Sequence, residues 1–258
     1  MILIDKYAYA SNISKTDPVA KLVFTSILLI LCLFLNNVWV SIFLLLSSMG
    51  FIIYTNPKVN IKTYVKFIIV PASFLVAGIL PILIVQDNFL KYTIIEKYNI
   101  GITDVSLNLS INLIFRALSA VSITYFLALS TPMVFFLEGL QRLKVPKLFI
   151  SLMELIYRYI FILLDEAYAI YKAQTLRLGY RNFKSSLYCI GELTATLFIR
   201  AYKKADLSYE CLLSRGYNGE INTINEEYKS GKVFYYFALM FIIISILIKY
   251  FPGRYIYG

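Results

Sequence analysis

Histidine is absent from this chain of 258 residues. That removes imidazole acid–base catalysis, Ser-His-Asp triads and histidine metal ligation together. Cysteine is scarce: Cys32, Cys189 and Cys211 form no Cys-x-x-Cys pair, so neither a disulfide framework nor a zinc site is expected. The phosphate-cradling pattern G-x-x-x-x-G-K-[ST] is missing too. Gly231-Lys232 lacks both the upstream glycine and a following Ser or Thr, which excludes ATP binding by a P-loop. No cluster of Asp, Glu or Cys falls inside an apolar run, so no metal site is expected in a span. Asp165 and Glu166 are neighbours in sequence, so their carboxylates diverge around a helix, a weak arrangement for paired-carboxylate catalysis. No cleavable signal pattern is read in the mixed, charged first 21 residues.

What is plentiful is apolar. The chain is 59% hydrophobic with a mean hydropathy of +0.71, against about 45–50% apolar residues in soluble domains. Apolar runs approach the ~20 residues that cross a bilayer. The expected class is an all-α polytopic membrane protein with about five transmembrane helices, near 22–35, 38–54, 67–85, 107–129 and 233–251, and a short tail to 258. Asp17 before Pro18 reads as a helix cap followed by a first-turn proline. Pro71, Gly78 and Pro81 predict a kink in the third span, and Arg116 in the fourth needs a partner or a route to a surface.

The net charge of +10 has a membrane explanation. With the N-terminus inside and five spans, 20 of the 25 basic residues lie on the inner side and four outside, the sense of the positive-inside rule. No basic patch is interleaved with aromatics as a nucleic-acid groove requires, so nucleic acid is excluded as a partner. Residues 131–232 hold 14 basic and 10 acidic residues and are placed on the cytoplasmic side. Three helices are predicted there: Met133–Arg142, Lys147–Leu176 and Lys184–Ser214, the first two bounded by Pro146 and Gly179. They are too apolar to stand alone in water and too charged to span lipid. Glu154 and Arg158 stand at an i, i+4 spacing that favours pairing, followed by Asp165 and Glu166.

The two long helices end alike, in "TLRLGY" and "LLSRGY". Arginine in a last turn suits the helix dipole, and a following glycine suits a left-handed stop. Two ordinary helix ends would look like this. So would two guanidinium groups presented for bidentate docking on carboxylates.

At these residues the sequence resembles the transmembrane T component of energy-coupling-factor (ECF) transporters, in its CbiQ-like cobalt branch. "IDKYAYASNISKTDPVAK", "YFLALSTPMVFFLEGLQRLKVPK", "LMELIYRYIFILLDEAYAIYKAQTLRLGY" and "KADLSYECLLSRGYNG" carry the resemblance over nearly the whole chain. It implies two Ala-Arg-Gly motifs whose arginines insert into two cytoplasmic ABC ATPase subunits. Arg215-Gly216 match the second motif, with Ser214 in place of Ala. Arg177 matches the first, with Leu176 for Ala, Leu178 for Gly, and Gly179 one position on. Asp17, Pro18 and Lys21 match an N-terminal Asp-Pro-Arg-x-Lys pattern, from which Val19 departs.

The resemblance further implies no cofactor in this chain, ATP and Mg bound by the partner ATPases, and a separate substrate-binding membrane subunit moved by the coupling helices. Glu154, Arg158, Asp165 and Glu166 would hold those helices together. The implied site is a prokaryotic cytoplasmic membrane, and the implied cargo is cobalt. Nickel or a vitamin, a self-sufficient carrier, and a membrane enzyme are the alternatives.

Overall fold

In the computed structural model the described residues are 3–86, 92–95, 100–217 and 228–250. Nine helices and three short strands occur among them: α1 Leu3–Ala10, α2 Pro18–Phe34, α3 Val38–Thr55, α4 Ile61–Leu83, β1 Val85–Gln86, β2 Tyr92–Ile95, β3 Ile100–Ile102, α5 Asp104–Ser130, α6 Met133–Arg142, α7 Lys147–Leu176, α8 Phe183–Ser214 and α9 Lys232–Tyr250. α3, α4, α5 and α9 are long and apolar enough to cross a membrane, and α2 is a shorter apolar helix. The fold is all-α and polytopic. The C-terminal end of α9's run lies outside the described residues beyond 250. The chain divides into two compact units, residues 1–139 with 227–258, and residues 140–226.

In the first unit, α2 forms the centre. Phe24 is buried among Phe51 of α3, Phe126 of α5, and Phe234 and Phe241 of α9, with ring centroids 5.8–6.0 Å away. Lipid is as apolar as these rings, so their benefit is packing and edge-to-face geometry rather than escape from water. Around this hub α3 and α5 approach through small residues. Ser48 and Ser122 share a hydrogen bond of 2.5 Å, and Ser122 also meets the Tyr64 hydroxyl of α4 at 2.6 Å. Small polar residues let helix backbones come close and supply bonds that lipid cannot.

Local chemistry sets the helix ends. Asp17 caps α2 by accepting from the Val19 amide at 3.1 Å, with Pro18 at the first helical position, as its sequence predicts. Asn37 caps α3 through the Trp39 amide, and Thr103 with Ser106 closes a reciprocal capping box on α5. That box starts α5 at Asp104, three residues before the predicted 107. α4 begins at Ile61 rather than 67 and carries Lys62 and Lys66 in its first turns; long lysine stems can lie along a helix while their heads reach polar surroundings. α4 continues through Pro71 and Pro81. Two elements were not expected. The N-terminal stretch forms α1, and the segment before α5 forms a small antiparallel sheet of order β1-β3-β2, with Val85 opposite Gly101 and Tyr92 opposite Ile102. The run Tyr-Thr-Ile-Ile in β2 has the β-branched and aromatic character that favours strands.

Two cations inside this apolar unit find backbone partners. Lys21, fully buried, donates from Nζ to the carbonyls of Ser14 and Ser130, each at 3.2 Å. Ser130 ends α5, so the ammonium meets the negative end of that helix. Lys21 is therefore an interior tie rather than one of the surface charges of the inner face. Arg116 of α5 donates to the Leu33 carbonyl in the last turn of α2. Its partner is neither an acid nor a distant surface but a helix-end carbonyl, and Asn112 one turn before it donates to Asn36 in the α2–α3 turn at 2.9 Å.

Replacing Phe24 by Ala should destabilise the detergent-purified protein by up to ~3–5 kcal/mol, the range typical of buried Phe truncations, and so lower its thermal midpoint. Phe74→Ala, at a position 80% exposed on α4, should leave the midpoint unchanged. Light-scattering or dye-based melting curves of both variants check this.

Candidate functional site

The second unit is built on α7 and α8, which run antiparallel about the short turn 177–182 and are tied at three levels. Gln174 Nε2 donates to the Cys189 carbonyl at 3.0 Å, Lys204 Nζ meets Glu166 Oε1 at 2.9 Å, and the Tyr159 and Ser208 hydroxyls share a hydrogen bond. Of the four charged residues expected to hold these helices, Glu166 alone does so by an ion pair. Among the described residues Glu154, Arg158 and Asp165 form none. Glu154, Arg158, Asp165 and Lys172 recur at steps of 4, 7 and 7 on one narrow stripe of α7, where solvent screening leaves pairing little to gain.

Both arginine corners are built by the same hydrogen-bond scheme. At the end of α7 the Leu178 amide bonds to the Thr175 carbonyl at 3.0 Å and the Gly179 amide to the Gln174 carbonyl at 2.9 Å. At the end of α8 the Gly216 amide bonds to Leu213 at 3.0 Å and the Tyr217 amide to Leu212 at 3.0 Å. This is the Schellman closure, which requires a left-handed residue directly after the cap. Arg177 and Arg215 are the two cap residues. Because the backbone satisfies these carbonyls, neither guanidinium is needed to do so. Both arginines are exposed, and neither forms an ion pair or side-chain hydrogen bond among the described residues.

The left-handed residue of the first corner corrects the expectation. It is Leu178, at φ +59°, and not Gly179; in the second corner it is Gly216, at φ +76°. A leucine there costs about 1–2 kcal/mol. Gly179 serves a different need. A Cβ on it would stand 2.6 Å from Cys189 Sγ and 3.0 Å from the Gln174 carbonyl, so the glycine lets the turn lie against α8.

Gln174, which the sequence did not single out, organises this corner: beyond its bond to Cys189 it accepts from the Tyr180 hydroxyl at 2.8 Å. Desolvation, with Cys189 and Tyr171 beside it, pushes that hydroxyl above the usual phenol range. Leu176 is exposed before Arg177; Ser214, before Arg215, turns its hydroxyl back to the Cys211 carbonyl at 2.9 Å.

The structure does not bring the two arginines together. In sequence the 32 residues of α8 lie between them; in space Gly179 packs on Cys189 and Arg177 stands beside Glu192, which leaves roughly 35 Å of α8 between the two at 1.5 Å per residue. Pro18 and Lys21 lie in the other unit, Pro18 against α6 where a Cβ on Gly139 would meet it at 3.2 Å. Among the described residues no group of three or more His, Cys, Asp or Glu side chains could hold a metal.

α7 also carries an unpartnered apolar ridge. Leu148, Leu152, Ile156, Ile160, Leu164 and Tyr168 follow at steps of four and all are exposed. On α8, Phe198, Tyr202, Tyr209 and Leu213 are likewise exposed. Ridges at four-residue steps are the shape that packs into the grooves of another helix at about −50°.

The profile of the family described as "CbiQ: Cobalt transport protein" matches residues 10–225. The CbiQ cobalt transport protein of Salmonella typhimurium is 27% identical over 223 residues, covering 85% of this chain and 98% of that protein. The energy-coupling factor transporter transmembrane protein EcfT of Ruminiclostridium cellulolyticum is 27% identical over 238 residues, 84% of each chain. A protein of Methanocorpusculum labreanum that carries the name of a fused cobalt transport protein, CbiMQ, is 31% identical over 258 residues. The match covers 93% of this chain and 41% of the fusion.

Leu178→Gly should remove the strained left-handed leucine and raise hydrogen-exchange protection of the amides of residues 178 and 179 roughly fivefold, the equivalent of ~1 kcal/mol. Gly179→Val should lower protection at the same amides. Exchange mass spectrometry of peptides covering 170–182 reads both.

Proposed function

Because the chain belongs to the CbiQ family of cobalt transport proteins, a multi-pass membrane family of transport components, we propose that it is the energy-coupling transmembrane subunit of an ECF-type importer. In this reading two cytoplasmic ABC ATPase subunits bind ATP and Mg and carry out the hydrolysis. Arg177 docks on one and Arg215 on the other. Their motion reaches α7 and α8, whose exposed apolar ridges bear on a separate membrane subunit that binds the substrate, a cobalt ion. The chain performs no chemistry of its own. It lies in the cytoplasmic membrane of a prokaryote, with its N-terminus and α6–α8 on the cytoplasmic side.

The observation that carries the reading is the pair of corners. Two arginines stand at identical cap positions, each freed by a backbone closure that does not use it, and each at one end of α8. A single docking site has no use for two copies roughly 35 Å apart; two ATPase subunits do. Arginine is the residue suited to forked recognition of carboxylates. The charge balance across the spans supports the orientation. The fused relative supports a membrane partner, since more than half of that chain lies outside the match.

Affinity purification from native membranes in mild detergent tests this. An ABC ATPase should co-purify with the wild-type chain. Arg177→Glu and Arg215→Glu should each reduce the amount retained, and the double variant should lose it. Full retention by the double variant would show the corners to be helix ends and nothing more.

A further inference from the structure

A second arginine lines the groove that runs from the first corner along α7 and α8. This groove of about 300 Å³ between α7 and α8 is lined by Gln174 and Arg177 of the first corner and by Glu192, Thr196 and Arg200 of α8. Gln174 is committed: its amide nitrogen bonds to Cys189 and its oxygen accepts from Tyr180. The other polar side chains are not. Among the described residues Arg177, Arg200 and Glu192 form no ion pair, and the Thr196 hydroxyl has no hydrogen-bond partner. Two uncommitted guanidiniums thus share one groove with a single carboxylate.

The surroundings strengthen the sign. Residues 172–184 contain Lys172, Arg177, Arg181 and Lys184 and no acid. The corresponding stretch around the second corner, 210–222, contains Glu210 and Glu220 against Arg215. The backbone closures are the same; the fields are opposite in balance.

We propose that Arg200 is a docking residue of the first corner: together with Arg177 it clamps an acidic side chain of one ATPase subunit, and the second corner has no such clamp. This rests on the docking reading above. The occupant is a protein carboxylate because the groove offers two forked donors and a hydroxyl in a surface strongly positive around it, which is the complement of a carboxylate in an acidic patch. Glu192 stands in the same groove and opposes the incoming charge, so it weakens docking. Docking at the first corner is then the more sensitive of the two to ionic strength.

The test uses the full chain carrying Arg215→Glu, so that capture of the purified ATPase reports the first corner, in neutral detergent and in nanodiscs with and without phosphatidylglycerol. Arg200→Ala should weaken capture about tenfold, the scale of a charge-assisted pair. It should also flatten the salt dependence. Arg200→Lys should recover part of the loss, and Glu192→Gln should strengthen capture. If Arg177→Glu abolishes capture while Arg200→Ala leaves it unchanged, the clamp is wrong and the docking reading stands. If neither substitution alters capture, both are wrong. An Arg200 effect seen only with anionic lipid would assign the guanidinium to a headgroup and overturn the clamp.

Discussion

A helix must dispose of its last carbonyls, and two solutions to that problem divide this molecule. In the first unit two cations do it at two of the ends. Lys21 meets the Ser130 carbonyl at the end of α5, and Arg116 meets the Leu33 carbonyl at the end of α2. In the second unit the chain does it with its own amides, bending left-handed after Arg177 and Arg215. The consequence is a difference in what the cations are free to do. Where lipid and packed helices leave no water, a cation and a helix end satisfy each other and both are structural. Where the backbone closes on itself, the arginine is left exposed.

The rest of the architecture follows from keeping these ends in place. Phe24 gathers rings from α3, α5 and α9 about the short helix α2, and serines bring α3 and α5 close. In the second unit few bonds tie α7 to α8, and long apolar ridges are left bare. A pair of helices held by an amide, an ion pair and a hydroxyl contact is the looser of the two constructions, which suits a part that transmits motion. The 32-residue α8 sets the spacing of the two corners along its own length, so force applied at either end reaches the other through continuous helix.

Much of this is legible in the sequence because its signals are local. Asp17-Pro18, Pro146 and the arginine–glycine endings mark helix boundaries within a few residues of where they lie, and α6 and α7 fall on their predicted bounds. What was not legible depends on neighbours distant in sequence. Nothing near Glu166 says that it, rather than Glu154 or Asp165, meets Lys204, 38 residues on. Arg116 is visibly awkward in its span, but its partner lies 83 residues away. Gly179 reads as a left-handed stop until Cys189 is seen against it, and Arg200 has no sequence signal linking it to Arg177. The sheet before α5 was hidden by its brevity.

The central claim is that the two arginine corners carry the energy of ATP into transport. The most direct measurement is uptake of radiolabelled cobalt by proteoliposomes holding the membrane subunits, with the ATPase subunits added and ATP hydrolysis followed in the same samples. With Arg177 and Arg215 both replaced by Ala, the account predicts loss of ATP-driven uptake while the ATPase subunits go on hydrolysing ATP. Uptake that continues at the wild-type rate in that double variant would contradict it.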